Sequence, residues 1–376
     1  MHKRLLVPAF VTLLAAGCLS DVPDEPPSAA TPSPAATQER STPVPEPTAI
    51  ERTPTPAVTP RKTPDATPRP VGTPQGTTGM ETGDGAARYD AGCLAGDGPD
   101  EPLASPPRLH PSQDVPEYPG PYDPIPLVPD KALQARLDAA VGDRADAYAF
   151  YVKDLSTGRA ATHNGDRTFN AASLFKLFVM YGVFHQVSLD VIDWQDELVV
   201  TPHYDGFALS PRVTALCQVI TIADAMDAML SVSDNAAAVL LQDIAGSSNI
   251  NAAIEALGVQ DSGLFEDGLP VTANDLALLM EAIATGEAIS PSASADMVRL
   301  LGNDVFENGL MGGVPDGTVV ARKTGNWSDA THVAGIVYAP SGPYVFVALT
   351  SNGYETSVIE AMSAAAYEQF EAASER

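Results

Sequence analysis

Of the chain's 34 prolines, 27 lie in the first 129 residues and 7 in the remaining 247. Proline lacks a backbone N–H and fixes φ, so so dense a run cannot sustain helices or sheet ladders. A compact fold is therefore confined to residues from about 126 onward, roughly 250 residues, which is ample for a sizeable core. The stretch 18–125 is rich in Pro, Thr, Ser and Ala, as in Thr53-Pro54-Thr55-Pro56 and Thr63-Pro64-Asp65-Ala66-Thr67-Pro68. Such a segment buries too little apolar surface to offset chain entropy, and it is expected to be a disordered or polyproline II tether. Its extended limit is on the order of 300 Å. Only its end, Leu109 to Pro129 with Tyr118 and Tyr122, has side chains suited to lying against the domain.

The N-terminus has the pattern of an export signal. Lys3 and Arg4 precede an apolar run, Leu5 to Ala16, that is too short for a membrane span of about 20 residues. Leu13-Leu14-Ala15-Ala16-Gly17-Cys18 is similar to a bacterial lipobox, with Ala15 where Leu is commonest. The expectation is a signal peptide over 1–17 and lipidation of Cys18. The protein would then be exported and anchored on the outer side of the cytoplasmic membrane or elsewhere in the cell envelope. A plain secretory signal with an incidental cysteine is the alternative. Export would permit a disulfide between Cys93 and Cys217, and spacing alone leaves that pairing and two free thiols equally open.

Net charge is −27, and residues 126–376 carry 12 basic against 32 acidic side chains. That balance argues against nucleic acid and against direct contact with an anionic membrane surface. A solvated acidic surface on a monomer is the simplest account.

Within the compact region, Leu133, Leu137 and Val141 have helical spacing. Tyr148-Ala149-Phe150-Tyr151-Val152 reads as a strand with its hairpin turn at Ser156-Thr157-Gly158, and Ser173 to Gln186 as a buried helix. Helices are expected at 221–231, 235–245, 272–286 and 293–302. Strands follow from Val319 to Lys323, Ala334 to Ala339 and Tyr344 to Thr350, then a last helix with Ile359, Met362, Ala366 and Phe370 on one face. The expected fold class is α+β. An antiparallel sheet of about five strands is backed by the first and last helices, and an all-helical lobe lies between.

Ser173 and Lys176 are three apart, so one helical turn puts both side chains on one face. A serine hydroxyl needs a base to take its proton, and a buried lysine with a lowered pKa can be that base. Few other reasons would place Lys176 inside the apolar run Leu174 to Phe184. Ser173-Leu174-Phe175-Lys176, Ser233-Asp234-Asn235 and Lys323-Thr324-Gly325 follow one another in that order. As a set they resemble the active-site strings of the penicillin-recognising serine hydrolases, class A β-lactamases in particular. Val152 to Arg159 ahead of Phe169 to Ser173, and Gly335-Ile336-Val337-Tyr338, are similar to the family's approach to its nucleophile and to the strand beside Lys-Thr-Gly. The likeness covers residues 130–375.

The resemblance implies a β-lactamase/D,D-peptidase-like fold. No metal or other cofactor is expected, because His163, His185 and His203 show no metal spacing and Cys93 and Cys217 are not arranged as ligands. Ser173 would be acylated, and Ser233 would shuttle a proton to the leaving nitrogen. Asn235 would bind a substrate amide and Lys176. Lys323 and Thr324 would hold a substrate carboxylate, and Gly325 would let substrate lie close to the strand. The N–H of Asn326 would complete an oxyanion hole with that of Ser173, while Asp234 would be structural.

Two places depart from the family pattern. The deacylating Glu-x-x-Leu-Asn loop is shortened here to Gly263-Leu264-Phe265-Glu266-Asp267-Gly268-Leu269-Pro270, with Pro270 in place of Asn. Glu266 is the candidate deacylating base and a surface carboxylate is the other reading; Asp267 is a weaker candidate. Thr331-His332-Val333 stands where an arginine is common, making His332 a candidate substitute or a packing residue. Tyr204 is a candidate cleft wall. The leading expectation is an acyl-serine hydrolase acting on β-lactams. The alternatives are a D,D-peptidase-like enzyme slow to release them and a non-catalytic cell-wall-binding lipoprotein.

Overall fold

A computed structural model describes Cys93, residues 121–209 and residues 212–374. Expectations for the signal, Cys18, Tyr118 and most of the tether lie outside these residues.

The chain begins with a two-residue strand, β1 (Val128–Pro129), and α1 (Lys131–Val141). Asp130 caps α1 by accepting from the amides of Ala132 at 3.0 Å and Leu133 at 3.1 Å. Next come β2 (Tyr148–Asp154), β3 (Arg159–His163) and β4 (Phe169–Asn170). A 3₁₀ turn, Ala172–Leu174, leads into α2 (Phe175–Ser188). The lobe continues with β5 (Glu197–Val199), α3 (Pro202–Asp205), β6 (Val219–Thr221), α4 (Ile222–Ser231), α5 (Asn235–Ala245) and α6 (Ser247–Leu257). Then follow β7 (Pro270–Val271), α7 (Ala273–Thr285), α8 (Pro291–Leu301), β8 (Val319–Trp327), β9 (Ala330–Ala339), β10 (Gly342–Thr350) and α9 (Thr356–Ser374).

The main sheet has the order β1-β3-β2-β10-β9-β8. Five strands are antiparallel neighbours, as expected. The sixth, β1, joins the edge in parallel, with Val128 opposite Arg159, so the sheet is mixed. Its central strands are buried on both faces, and β10 shows why. Tyr344, Phe346 and Ala348 face one core with Leu133, Leu137, Ile359, Met362 and Phe370 of α1 and α9. Val345, Val347 and Leu349 face the other core, continuous with the helical lobe. Period-2 alternation thus feeds two cores from one strand.

At the centre of the lobe is α2, with every residue from Lys176 to Gln186 buried. A helix apolar all round can sit only in an interior. Gly182 allows α6 to approach it, since a β-carbon there would lie 2.6 Å from Ile250 Cγ1.

Ordered packing begins ahead of the expected boundary at residue 126. Tyr122 is buried in the lobe-side core, its amide donating to the Leu257 carbonyl at 3.0 Å. Beneath it lies an ion pair that sequence inspection missed, Lys153 with Glu281, 2.8 Å apart and almost fully buried. Cys93 and Cys217 form a disulfide, deciding the pairing that spacing left open.

Candidate active site

The nucleophile turn is held from two sides. Phe169 and Asn170 pair with Val271 and Pro270, and the Ala171 amide donates to the Leu269 carbonyl at 2.8 Å. On the other side β8 packs against the turn at Gly325. A β-carbon there would sit 3.2 Å from the Ala171 carbonyl oxygen and 3.3 Å from the Ser173 nitrogen. Gly325 is thus needed for contact with the chain's own turn. Among the described residues Gly325 is not on the cavity wall.

Two non-glycine residues here have left-handed backbone, Ala172 at φ 46° and Ser233 at φ 58°. Such conformations cost of order 1–3 kcal/mol and persist where surrounding contacts impose them. Ala172 immediately precedes Ser173. Ser233 projects toward Lys176 because Asp234, next in the chain, is fixed as the N-cap of α5. One carboxylate oxygen of Asp234 accepts from Ala236 and Ala237, and the other from the amides of Val213 and Thr214 and the Thr214 hydroxyl. Burial opposes ionisation of Asp234, but these bonds prevail and hold its pKa below the usual aspartate value. Asp234 is a brace, as expected.

Lys176 Nζ lies 3.3 Å from Ser173 Oγ, 2.9 Å from Ser233 Oγ, 2.6 Å from the Ser233 carbonyl oxygen and 2.6 Å from Asn235 Oδ1. The last two oxygens can only accept. A neutral amine would give its two protons to them, leaving its one lone pair free to accept from a serine hydroxyl. Burial first, and the charge of Lys323 second, push the Lys176 pKa well below the ordinary lysine value, against the opposing pull of Asp234 and Asp304. The neutral form of Lys176, the one that can take a proton, is therefore more accessible than in an ordinary lysine.

A cavity of about 410 Å³ opens over this group. Ser173, Ser233 and Asn235 line it with Asn170, Thr324 and Asn326, and Phe175, Leu209, Leu269, Phe306 and Trp327 form apolar walls. β8 is the outer strand, and its Thr324 amide points away from β9, donating to Asp304 Oδ2 at 2.8 Å. Strand parity puts the N–H of Asn326 on the same free edge. Asn326 thus offers a backbone donor beside Ser173.

Three candidate residues do not reach the cavity, and for Glu266 and His332 the structure favours the surface-carboxylate and packing readings. Glu266 is exposed and absent from the cavity wall among the described residues. The Phe265 and Gly268 amides and carbonyls bond each other at 3.1 and 3.3 Å, and the Gly263 amide reaches the Pro270 carbonyl at 3.1 Å. The short loop is therefore a hairpin with Glu266 and Asp267 at its tip. The stem delivers Leu269 to the wall instead. His332 is fully buried and off the wall, its Nε2 bonding the Asn170 carbonyl at 2.9 Å and its Nδ1 accepting from the Thr350 amide at 3.2 Å. It steadies the strand ahead of Ser173 in place of an arginine-like contact. Tyr204 is buried in the core, and Leu209 supplies the wall expected of it.

Asp304 is the site residue that sequence reasoning missed. It follows α8 in a polar loop, where nothing local marks it, yet its carboxylate is fully buried against Lys323 at 3.3 Å. Lys323 is itself fully buried and not on the cavity wall. Burial lowers its pKa, while Asp304 pulls the other way.

A sheet covered on both faces, a helical lobe and a Ser-x-x-Lys turn at their junction define the β-lactamase-like class of serine hydrolase folds. The sequence model of the Beta-lactamase enzyme family matches residues 131–370, and the chain belongs to that family. Among solved structures, PBP-A is 24% identical with a TM-score of 0.61, covering 66% of this chain and all of its own. A mutant of PBP-A solved as an acyl-enzyme complex with penicillin G is 23% identical at the same TM-score. The β-lactamase of Sphaerobacter thermophilus is 25% identical, TM-score 0.58, covering 65% of this chain and 97% of its own. An ancestral class A β-lactamase of Gram-negative bacteria is 21% identical, TM-score 0.57. No curated protein matches the chain.

Proposed function

We propose that this protein is a serine hydrolase acylated by β-lactams at Ser173, and that it releases the acyl group slowly. The observation that carries the proposal is the position of Lys176 Nζ, buried and within 3.3 Å of both the Ser173 and Ser233 hydroxyls at the foot of one cavity. Ser173 Oγ attacks the lactam carbonyl carbon as its proton passes to Lys176 Nζ. The amide N–H groups of Ser173 and Asn326 stabilise the oxyanion. As the intermediate collapses the C–N bond breaks, and Ser233 hands its proton to the leaving nitrogen while receiving from Lys176 Nζ, 2.9 Å away, the proton taken from Ser173. Asn235 orients Lys176 and a substrate amide.

Slow release is favoured because no carboxylate lines the cavity among the described residues, leaving hydrolytic water without a carboxylate base. This moves the balance toward a D,D-peptidase-like enzyme acylated by D-alanyl peptides and away from a fast β-lactamase. The lipobox-like run at Cys18 supports anchorage in the cell envelope, with residues 18–125 as the tether.

The test combines a fluorescent penicillin and a chromogenic cephalosporin with the full chain beside Ser173→Ala. A long-lived label on Ser173 with little cephalosporin turnover is expected. Rapid turnover would point to a β-lactamase, and absence of both label and turnover would remove the acyl-serine reading.

A further inference from the structure

The wall of the cavity away from β8 carries no charge. Leu269 stands there, because its carbonyl accepts from the Ala171 amide at 2.8 Å and so holds it against the nucleophile turn on the β7 side. Asn170 lies beside it on the wall, and Leu209, 57% exposed, forms part of the rim. The chain that carries Leu209 is fastened just beyond it. The amides of Val213 and Thr214 each donate to Asp234 Oδ2 at 3.0 Å, and Cys217 is tied to Cys93.

The domain has 32 acidic and 12 basic side chains, yet none lines the cavity among the described residues. Arg212, close to Leu209 in sequence, has its charge paired with Asp205 at 2.7 Å and donates to the Thr214 carbonyl at 2.6 Å. The hairpin holds Glu266 and Asp267 at its exposed tip, off the wall. Asn170 and Asn235 are neutral and can bond an amide without balancing an ion. An ionic group pressed against Leu269 would lose hydration and gain no counter-charge, whereas an apolar group there removes apolar surface from water on both sides.

We propose that this wall selects acyl donors whose acyl side chain is uncharged and apolar, aryl or alkyl, and discriminates against anionic and cationic side chains alike. Leu269 and Leu209 are its specificity-determining residues. The inference rests on Ser173 being the acylated nucleophile. The oxyanion then faces the amides of Ser173 and Asn326 and the leaving nitrogen faces Ser233, which leaves the acyl substituent to the wall of Asn170 and Leu269. A peptide donor would accordingly present an uncharged residue on the acyl side of the bond that breaks.

The experiment compares three penicillins on the full chain: benzylpenicillin and its derivatives with a carboxylate or an ammonium on the α-carbon of the acyl side chain. Second-order acylation rate constants are read by intact-protein mass spectrometry, each divided by that compound's rate of alkaline hydrolysis. Benzylpenicillin should exceed both charged compounds by about tenfold or more, a modest share of the cost of desolvating an unpaired charge. A carboxylate compound within about twofold of benzylpenicillin overturns the inference. So does a faster ammonium compound, which would assign selection to the acidic surface or the hairpin-tip carboxylates; either result leaves Ser173 as nucleophile. No adduct with any of the three overturns the acyl-serine reading and the inference with it. Leu209→Lys should raise the carboxylate-to-benzyl ratio by about threefold and lower the ammonium ratio, as suits a half-exposed ion pair. Leu269→Lys should do the same by about tenfold. An unshifted ratio in a folded variant removes that leucine from specificity, and the comparison on the parent chain decides the proposal even if a variant fails to fold.

Discussion

Replacing Glu281 by glutamine should cost on the order of 3–5 kcal/mol of stability while leaving the cavity untouched. Lys153 Nζ lies 2.8 Å from Glu281 Oε2 and 3.0 Å from Oε1, with side chains 1% and 2% exposed. The Ile125 amide and Tyr122 hydroxyl donate to Oε1 at 2.7 and 3.2 Å, and Lys153 also bonds the Ile125 carbonyl. One buried pair therefore holds β2, α7 and the chain leading into the domain. Glutamine keeps an oxygen for Ile125 but leaves Lys153 without a counter-charge. Removing one partner of a buried pair costs about 3–5 kcal/mol. A domain of this size loses about 2–4 °C per kcal/mol, so Tm should fall by about 6–20 °C in calorimetry at pH 7. The double variant Lys153→Met/Glu281→Leu should be more stable than the single one, because no unpaired charge remains buried; its residual cost comes from the Ile125 amide and Tyr122 hydroxyl, which lose their acceptor. Penicillin labelling at low temperature should be unchanged in all three proteins. A single variant costing under about 1 kcal/mol, or a double variant as unstable as the single, would refute the argument.

Other consequences can be measured on the same material. Lys176→Met should slow acylation by about 10²–10⁴-fold, the usual worth of a general base. In the parent, acylation should rise with pH as Lys176 loses its proton and level off well below the ordinary lysine value of 10.5; a profile still climbing there places the base elsewhere. Glu266→Gln should leave the adduct lifetime unchanged, and a marked lengthening would return Glu266 to the mechanism. His332 is held neutral by burial, below its ordinary value of 6.5. As pH falls below 6.5 the unfolded chain takes up that proton first, so stability should decline toward the lowered pKa. In urea titrations between pH 6.5 and 5, His332→Gln should show a shallower decline than the parent, and equal slopes would exclude His332.

Most of the fold was legible because its signals are local. The short apolar, aromatic-rich runs Tyr148 to Val152 and Tyr344 to Thr350, each next to a turn, and the longer apolar run after Ser173 are signals of length and composition contained in a few residues. The parallel strand Val128–Pro129 was not legible, because two residues carry no period and their pairing with β3 is a tertiary contact. The helix Ser247–Leu257 was also missed. Its one buried face, Ile250, Ala253, Ile254 and Leu257, is interrupted by polar residues that solvent accommodates.

The site divides in the same way. Ser173 and Lys176 lie three apart on one turn, so their shared face follows from helix geometry whatever the chain does elsewhere. Ser233, Asn235, Thr324 and Asn326 were named from the order of three strings, but their convergence on one cavity required the fold. The sequence by itself determined where the compact domain could lie, which elements it contains and which serine and lysine share a face, because proline content, side-chain periodicity and i,i+3 spacing act within a few residues. Tertiary structure decided that Glu266 sits at the tip of a hairpin, that Leu269 takes the wall, that Cys93 meets Cys217, and that Asp304 pairs with Lys323 and bonds the Thr324 amide. Each of those depends on chain segments brought together by packing, and no local pattern encodes which buried carboxylate reaches which cation.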